Sequence, residues 1–108
     1  ADPFNRRTYP WGQEDPAMLA WFRWLGQLRK GRSSLRRGSL RWLEAQGPLL
    51  AYLREIPSEA TATLVNASPE ERAFSLPGGG FRDLYTGEEL PGQEAPVPPY
   101  SVRLLGRD

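Results

Sequence analysis

The stretch DPAMLAWFRWLGQLRKG, residues 15–31, is typical of a single long helix. Asp15 suits the N-cap because its carboxylate can accept hydrogen bonds from the first-turn N–H groups, and Pro16 suits the first helical position. Gly31 suits the left-handed residue that ends a helix. The apolar face covers an arc of about 160°, formed by Met18, Trp21, Phe22, Trp24, Leu25 and Leu28. One packed layer would leave part of so wide a face uncovered, so we expect neighbours on two sides.

The chain after residue 38 changes to short β-type segments separated by turn signals, a spacing typical of antiparallel sandwiches and barrels. The clearest segment alternates Thr61, Thr63 and Val65 with smaller or apolar residues. Strands are predicted at residues 39–45, 49–55, 60–66, 72–76, 81–85, 88–90 and 100–105, with a proline-rich edge or loop at 91–99. The predicted fold is therefore mainly β: a Greek-key-like antiparallel β-sandwich of six to eight strands, preceded by a loop (residues 1–14) and one α-helix.

The amino-acid composition excludes most classes of catalytic mechanism. The chain has no cysteine and no histidine, which excludes thiol nucleophiles, histidine-based triads and the commonest metal ligands. The acidic pairs Glu70–Glu71 and Glu88–Glu89 are adjacent in sequence, and neighbouring strand residues point to opposite faces. Neither pair could act together on one substrate. We therefore predict no catalytic residue, no metal and no cofactor.

Charge is unevenly distributed along the chain. Residues 1–42 carry nine basic and three acidic residues, a net charge of +6, whereas residues 43–108 carry five and ten, a net charge of −5. A basic half can indicate nucleic-acid binding. Here the basic residues accompany a broad apolar face, which favours the rim of a protein contact. No apolar run approaches the roughly 20 residues that span a membrane, so neither nucleic acid nor membrane is predicted as a partner.

A series of motifs covers almost the whole chain: DPFNRR (residues 2–7), FRWLGQLR (22–29), LRRGS (35–39), LAYLR (50–54), ATLVN (62–66), DLYTGE (83–88) and PPYSV (98–102). In this order they resemble the C-terminal region of α-amylase-family glycoside hydrolases. The likeness is closest to the cyclomaltodextrinase, neopullulanase and α-glucosidase members. Each motif is short, and it is their order that makes the resemblance specific.

The resemblance implies a division of the chain. Residues 1–31 would be the loop and last helix of a catalytic (β/α)8 barrel, residues 32–38 a connector, and residues 39–108 a C-terminal β-sandwich domain. The parent would act on α-glucosidic bonds of maltooligosaccharides or related glucans. Its catalytic carboxylates would lie on barrel strands before this region. The chain begins at Ala1 and its only methionine is Met18, so we expect a piece of a longer polypeptide.

The resemblance also implies a substrate contact. In cyclomaltodextrinase-like members, the positions that match Asp2 and Arg6 bind sugar on the non-reducing side of the cleavage point. An aspartate can accept from vicinal hydroxyls while an arginine donates to a neighbouring one. The simpler interpretation is a salt bridge between Asp2 and Arg6 that closes the loop, and both can hold in an intact enzyme.

The helix face suggests an interface with the barrel or another partner through Trp21, Trp24, Leu25 and Leu28. Two further interpretations stay open. A sugar-binding β-sandwich would present an exposed aromatic platform on a sheet face. Trp42 is a candidate for it, and the simpler interpretation is that Trp42 packs in the core or covers a sheet edge. An interaction module would associate with a second copy of itself through the helix.

We predict that this chain alone hydrolyses no α-glucan, since the family's catalytic carboxylates lie outside it. Reducing-sugar release from soluble starch, with a preparation free of host amylase, checks this. Release above the blank would contradict it.

Overall fold

A computed structural model describes residues 16–108, except for the side chain of residue 18. Helix α1 spans Pro16–Gly31 and confirms the predicted long helix. The predicted left-handed conformation of Gly31 is wrong, because Gly31 is the last residue of the helix and its φ is not positive. Its last turn carries Arg29 and Lys30, where cations favour the negative end of the helix dipole. The predicted N-cap, Asp15, lies outside the described residues. Within residues 16–108, no helix has both the length and the apolar character needed to cross a membrane.

A second helix, α2 (Ser33–Arg37), occupies most of the segment that was predicted to be only a connector. It closes with a hydrogen bond from the Gly38 N–H to the Ser34 carbonyl, at 2.9 Å. The Ser34 N–H donates to the carboxylate of Glu59, 25 residues away, at 2.8 Å. Five residues are too few to show a helical period, and this first-turn N–H finds its partner only in the folded chain.

The described residues after α2 form eight strands: β1 Ser39–Gln46, β2 Leu49–Ile56, β3 Glu59–Asn66, β4 Arg72–Ser75, β5 Phe81–Asp83, β6 Glu89–Leu90, β7 Glu94–Val97 and β8 Ser101–Arg107. Six of them form an antiparallel sheet in the order β1-β2-β3-β8-β5-β6. Strands β4 and β7 pair in a second, two-stranded sheet. Strand β8, the last in sequence, lies between β3 and β5. The predicted fold, mainly β with antiparallel strands, is confirmed.

Several strand ends differ from the sequence prediction by one or two residues, and β5 ends at Asp83 instead of residue 85. The proline-rich segment is predicted as an edge or a loop, and the edge is confirmed: strand β7 forms there, and Pro96 pairs with Ala73 in the small sheet. Proline is tolerated because the sheet has only two strands, each with an open edge. The final strand begins one residue later than predicted. Tyr100 has a φ of 51°, a left-handed conformation that an extended strand cannot continue through.

The main core lies between the two sheets. Strands β2 and β3 face it with alternate residues, among them Leu53 and Leu64, neither of which is exposed. The other members of the cluster are Ala51, Ala60, Ala62, Phe74, Leu76, Phe81, Leu90, Ala95, Val97 and Leu105. Strand β3 is also buried on its other face, where Thr61 and Thr63 lie. The helical segment therefore supplies a third layer.

Truncating the core at Leu53→Ala should lower the free energy of unfolding by about 2–5 kcal/mol, because it removes buried methyl groups and leaves a cavity. The matched control is Leu40→Ala on the neighbouring strand β1, where the side chain is 50% exposed. That change should cost less than about 0.5 kcal/mol. Urea unfolding of both variants measures the difference, and equal losses would contradict the assigned core.

Candidate functional site

The broad face of α1 lies against the outer face of the six-stranded sheet. Trp21 is only 6% exposed, and Trp24, Leu25 and Leu28 are half-buried. A cavity of about 360 Å³ runs along this seam, between the helix and the sheet, and is lined by Trp21, Leu25, Arg29, Leu35, Tyr52, Thr63, Val65, Val102 and Leu104. Three of the four predicted interface residues, Trp21, Trp24 and Leu25, thus face the sheet domain of their own chain. Whether they also contact a barrel stays a prediction, and self-association through them has no support.

A different part of α1 remains open to solvent. Phe22 is 48% exposed, with its ring edge-on to Trp21 at a centroid distance of 5.8 Å. Leu19, one turn earlier, is 36% exposed. The sequence indicated that the helix needs neighbours on two sides, and within the described residues the sheet supplies one of them.

The start of α2 is held to the sheet by a polar cluster around Arg32. The Arg32 Nε donates to the Thr61 hydroxyl at 2.8 Å, and Nη2 donates to the Ala60 carbonyl at 3.0 Å. Nη2 also lies 3.2 Å from the Asp108 carboxylate. The Ser34 hydroxyl donates to Glu59, so the 2.8 Å contact between Ser34 and Thr61 has Thr61 as its donor. We call Arg32, Ser34, Glu59, Thr61 and Asp108 the Arg32 cluster.

The pKa of Glu59 reflects this cluster. Burial by itself would raise it, but the hydrogen bonds from the Ser34 hydroxyl and N–H, together with the charges of Arg32 and Arg36, hold the pKa of Glu59 below its ordinary value. A lowered pKa keeps the carboxylate ionised as an acceptor, which is a structural role.

A second cavity, also of about 360 Å³, opens between α1 and the turn that follows β5. Trp24 and Tyr85 meet there with ring centroids 4.8 Å apart and an interplanar angle of 74°. Tyr85 is 56% exposed. Other side chains on the walls belong to Trp21, Glu71, Asp83, Thr86, Glu88, Pro96, Pro98, Ser101, Val102, Arg103 and Leu104. We call this cavity the Trp24–Tyr85 cleft.

Buried Asp83 organises the turn beside the cleft. Its Oδ1 accepts the N–H groups of Tyr85 and Thr86, each at 2.8 Å. Its Oδ2 accepts from Arg103 Nε at 2.8 Å, and Arg103 Nη2 donates to Glu88 at 2.9 Å. Burial would raise the pKa of Asp83, but the N–H groups of Thr86 and Tyr85 and the Arg103 guanidinium outweigh it and hold that pKa below its ordinary value.

The chemistry available at these two clusters is binding and orientation. A general acid needs a carboxyl group whose pKa is raised toward neutrality. Both shifted carboxyl groups, Asp83 and Glu59, have a lowered pKa. Between residues 16 and 108, no three carboxylates lie close enough to one another to hold a metal ion.

The sequence located only part of this geometry. Asp2 and Arg6 lie outside the described residues, so their sugar-binding role stays a prediction. The Trp24–Tyr85 cleft was missed, because Tyr85 is distant from the helix in sequence. The DLYTGE motif marked the turn, but nothing in it indicated an aromatic partner. Trp42, the candidate platform residue, is 58% exposed and meets Tyr52 edge-on at 5.6 Å.

Comparisons with known proteins point to one family. No protein-family model matches the chain. An amylopullulanase from Thermoanaerobacterium saccharolyticum is 29% identical over 106 residues, covering 82% of this chain and 8% of the relative. A glycogen debranching enzyme from Dickeya chrysanthemi is 37% identical over 90 residues, covering 67% of this chain and 14% of the relative. The chain therefore spans a small fraction of the length of either enzyme.

The fold has a close counterpart among solved structures. The α-amylase from Geobacillus thermoleovorans, solved in complex with acarbose, matches with a TM-score of 0.77 and 20% identity, covering 89% of this chain and 24% of that one. This likeness defines the class of fold, a β-domain with its preceding helix. Together with the relatives, it shows that the chain matches the C-terminal domain of an α-amylase-family glycoside hydrolase, as predicted. The finer likeness to cyclomaltodextrinases, neopullulanases and α-glucosidases stays a prediction.

The lowered pKa of Asp83 predicts how stability depends on pH. The unfolded chain binds the proton more readily, so the contribution of Asp83 is fully present above its unfolded pKa of about 3.9 and is lost as pH falls through the lower folded value. Asp83→Asn should cost about 1–3 kcal/mol at neutral pH, and the loss should shrink as the solution becomes acidic.

Unfolding free energies measured by urea titration between neutral pH and about pH 2 test this prediction. Glu94→Gln, at an exposed position on β7, is the control and should follow the wild-type curve. A loss in Asp83→Asn that stays the same at every pH would contradict the ionised role of Asp83.

Proposed function

We propose that this chain is the non-catalytic C-terminal part of a glycoside hydrolase that acts on α-glucosidic bonds of maltooligosaccharides or related glucans. The observation that carries the proposal is the match of most of the chain to a small share of two enzymes named amylopullulanase and glycogen debranching enzyme. The fold likeness to an α-amylase supports it. The lowered pKa values of Asp83 and Glu59 agree with a structural rather than an acid–base role.

The proposed division assigns residues 1–31 to a (β/α)8 barrel that lies mostly outside this chain, residues 32–38 to the connection, and residues 39–108 to the β-sandwich. The seam around Trp21 supports a sandwich that packs against the last barrel helix. In the intact enzyme, the helix would contact barrel on one side and sandwich on the other. Since the seam takes up Trp21, the proposed barrel-facing side consists of the exposed Leu19 and Phe22 together with the parts of Trp24, Leu25 and Leu28 that the sheet leaves open.

Asp2 and Arg6 belong to this proposal as substrate contacts of the intact enzyme. Their chemistry suits a glucan: a carboxylate accepts hydrogen bonds from sugar hydroxyls and a guanidinium donates them. The barrel would supply the catalytic carboxylates and the rest of the substrate cleft. The partners are therefore the barrel and an α-glucan, with no cofactor assigned.

Phe22→Ser tests the barrel contact. In this chain alone the ring is half exposed, so the change should lower the free energy of unfolding by less than about 1 kcal/mol. In the full-length enzyme that contains this chain, the same change should cost about 2–4 kcal/mol, because it would remove a buried aromatic ring from the interface.

Gln27→Ser, at an exposed polar position on the same helix, is the matched control. It should change the free energy of unfolding little, both in the chain alone and in the full-length enzyme. Thermal unfolding of the chain and of the full-length enzyme gives the comparison. If Phe22→Ser costs no more in the full-length enzyme than in the chain alone, Phe22 does not contact the barrel.

A further inference from the structure

The Trp24–Tyr85 cleft has the dimensions of a small-molecule site. Its volume of about 360 Å³ lies within the range of about 300–1,000 Å³ that ligand pockets occupy. Two aromatic rings inclined at 74° form one corner of it. An exposed aromatic ring offers a flat apolar surface on which the C–H face of a pyranose can pack.

The polar walls suit a ligand that is rich in hydroxyl groups. Glu88 is exposed, and its carboxylate is oriented by the 2.9 Å hydrogen bond from Arg103. Arg103 also donates to Asp83 and to the Pro96 carbonyl. Each guanidinium nitrogen thus has a protein acceptor, which leaves the arginine an orienting role. Glu71, Glu88 and Thr86 carry acceptor oxygens on the walls.

The electrostatic balance excludes anionic ligands. Three carboxylates, those of Glu71, Asp83 and Glu88, line the cleft against the single positive charge of Arg103. A phosphate or a nucleic acid would meet net repulsion there. A neutral polyol can donate its hydroxyl protons to these carboxylates and suits the charge on the walls.

The turn that carries Tyr85 is held by hydrogen bonds within the chain. Asp83 binds the N–H groups of Tyr85 and Thr86. The Gly87 N–H donates to the Asp83 carbonyl at 2.8 Å, and Gly87 has a φ of 83° that glycine adopts without strain. A preordered aromatic loses little entropy when a ligand stacks on it. The arrangement is therefore that of a preformed binding surface.

We propose that the Trp24–Tyr85 cleft binds a short segment of α-glucan, as an accessory contact that takes no part in bond cleavage. The choice of an α-glucan among neutral sugars rests on the proposed function. The glucan would stack on Tyr85 beside Trp24, and its hydroxyls would donate to Glu88 and Glu71.

Amide NMR titration of the whole chain with maltohexaose tests the cleft, with cellohexaose as the β-linked comparison. Maltohexaose should shift the amide signals of Tyr85, Thr86, Gly87 and Glu88. Tyr85→Ala should weaken binding about tenfold or more. Trp42→Ala tests the alternative platform on β1, since Trp42 is 58% and Tyr85 56% exposed. It should leave the affinity unchanged.

Glu88→Gln, which keeps the shape of the side chain, should weaken binding without altering the far-ultraviolet circular dichroism. Absence of binding at about 10 mM maltohexaose, equal binding of cellohexaose, or loss of binding in Trp42→Ala alone would each overturn the proposal. The Phe22→Ser comparison in the full-length enzyme does not involve the cleft. A titration without binding would therefore contradict glucan binding in the cleft but not the proposed structural role. A Phe22→Ser change with equal effects in both contexts would contradict the barrel contact but not glucan binding.

Discussion

The guanidinium of Arg32 fixes the helical segment to the sheet, and the position of α1 depends on that contact. Arg32 follows α1 directly and is buried over the junction of β3 and β8, where Thr61 pairs with Gly106. A Cβ on Gly106 would lie 2.7 Å from Leu84 Cδ2 and 2.9 Å from Arg32 Nη2, so a larger residue there would displace both side chains. A buried charge is tolerated when it is paired and hydrogen-bonded, and here Thr61, Ala60 and Asp108 satisfy it.

This anchoring explains why the chain forms three layers. The core between the two sheets needs only the strands. The outer face of β3 carries Thr61 and Thr63, and both are buried because the helical segment lies over them. Threonines suit that position, since a hydroxyl can join a polar cluster while the methyl group packs. Trp21 then closes the seam farther along the sheet.

Buried Asp83 is the second polar centre, and its carboxylate orients residues that line the Trp24–Tyr85 cleft. One oxygen binds the turn and the other binds Arg103, whose remaining N–H groups reach Glu88 and Pro96. A single buried residue thus sets the positions of Tyr85 and Glu88. The cleft needs α1 as well, because Trp24 forms its other aromatic wall. The cleft therefore depends on the contacts of both clusters.

The sequence by itself determined the long helix, the antiparallel β-rich segment and the family likeness. These follow from local signals: the helical period, the alternation in β3 and the turn residues. Only the tertiary structure decided helix α2, strand β7 and which helix residues are covered. The Ser34 N–H finds its acceptor 25 residues away in Glu59, and Tyr85 meets Trp24 across 61 positions. Such contacts produce no local pattern in the sequence, because they stabilise the chain only when segments that are distant in sequence pack together.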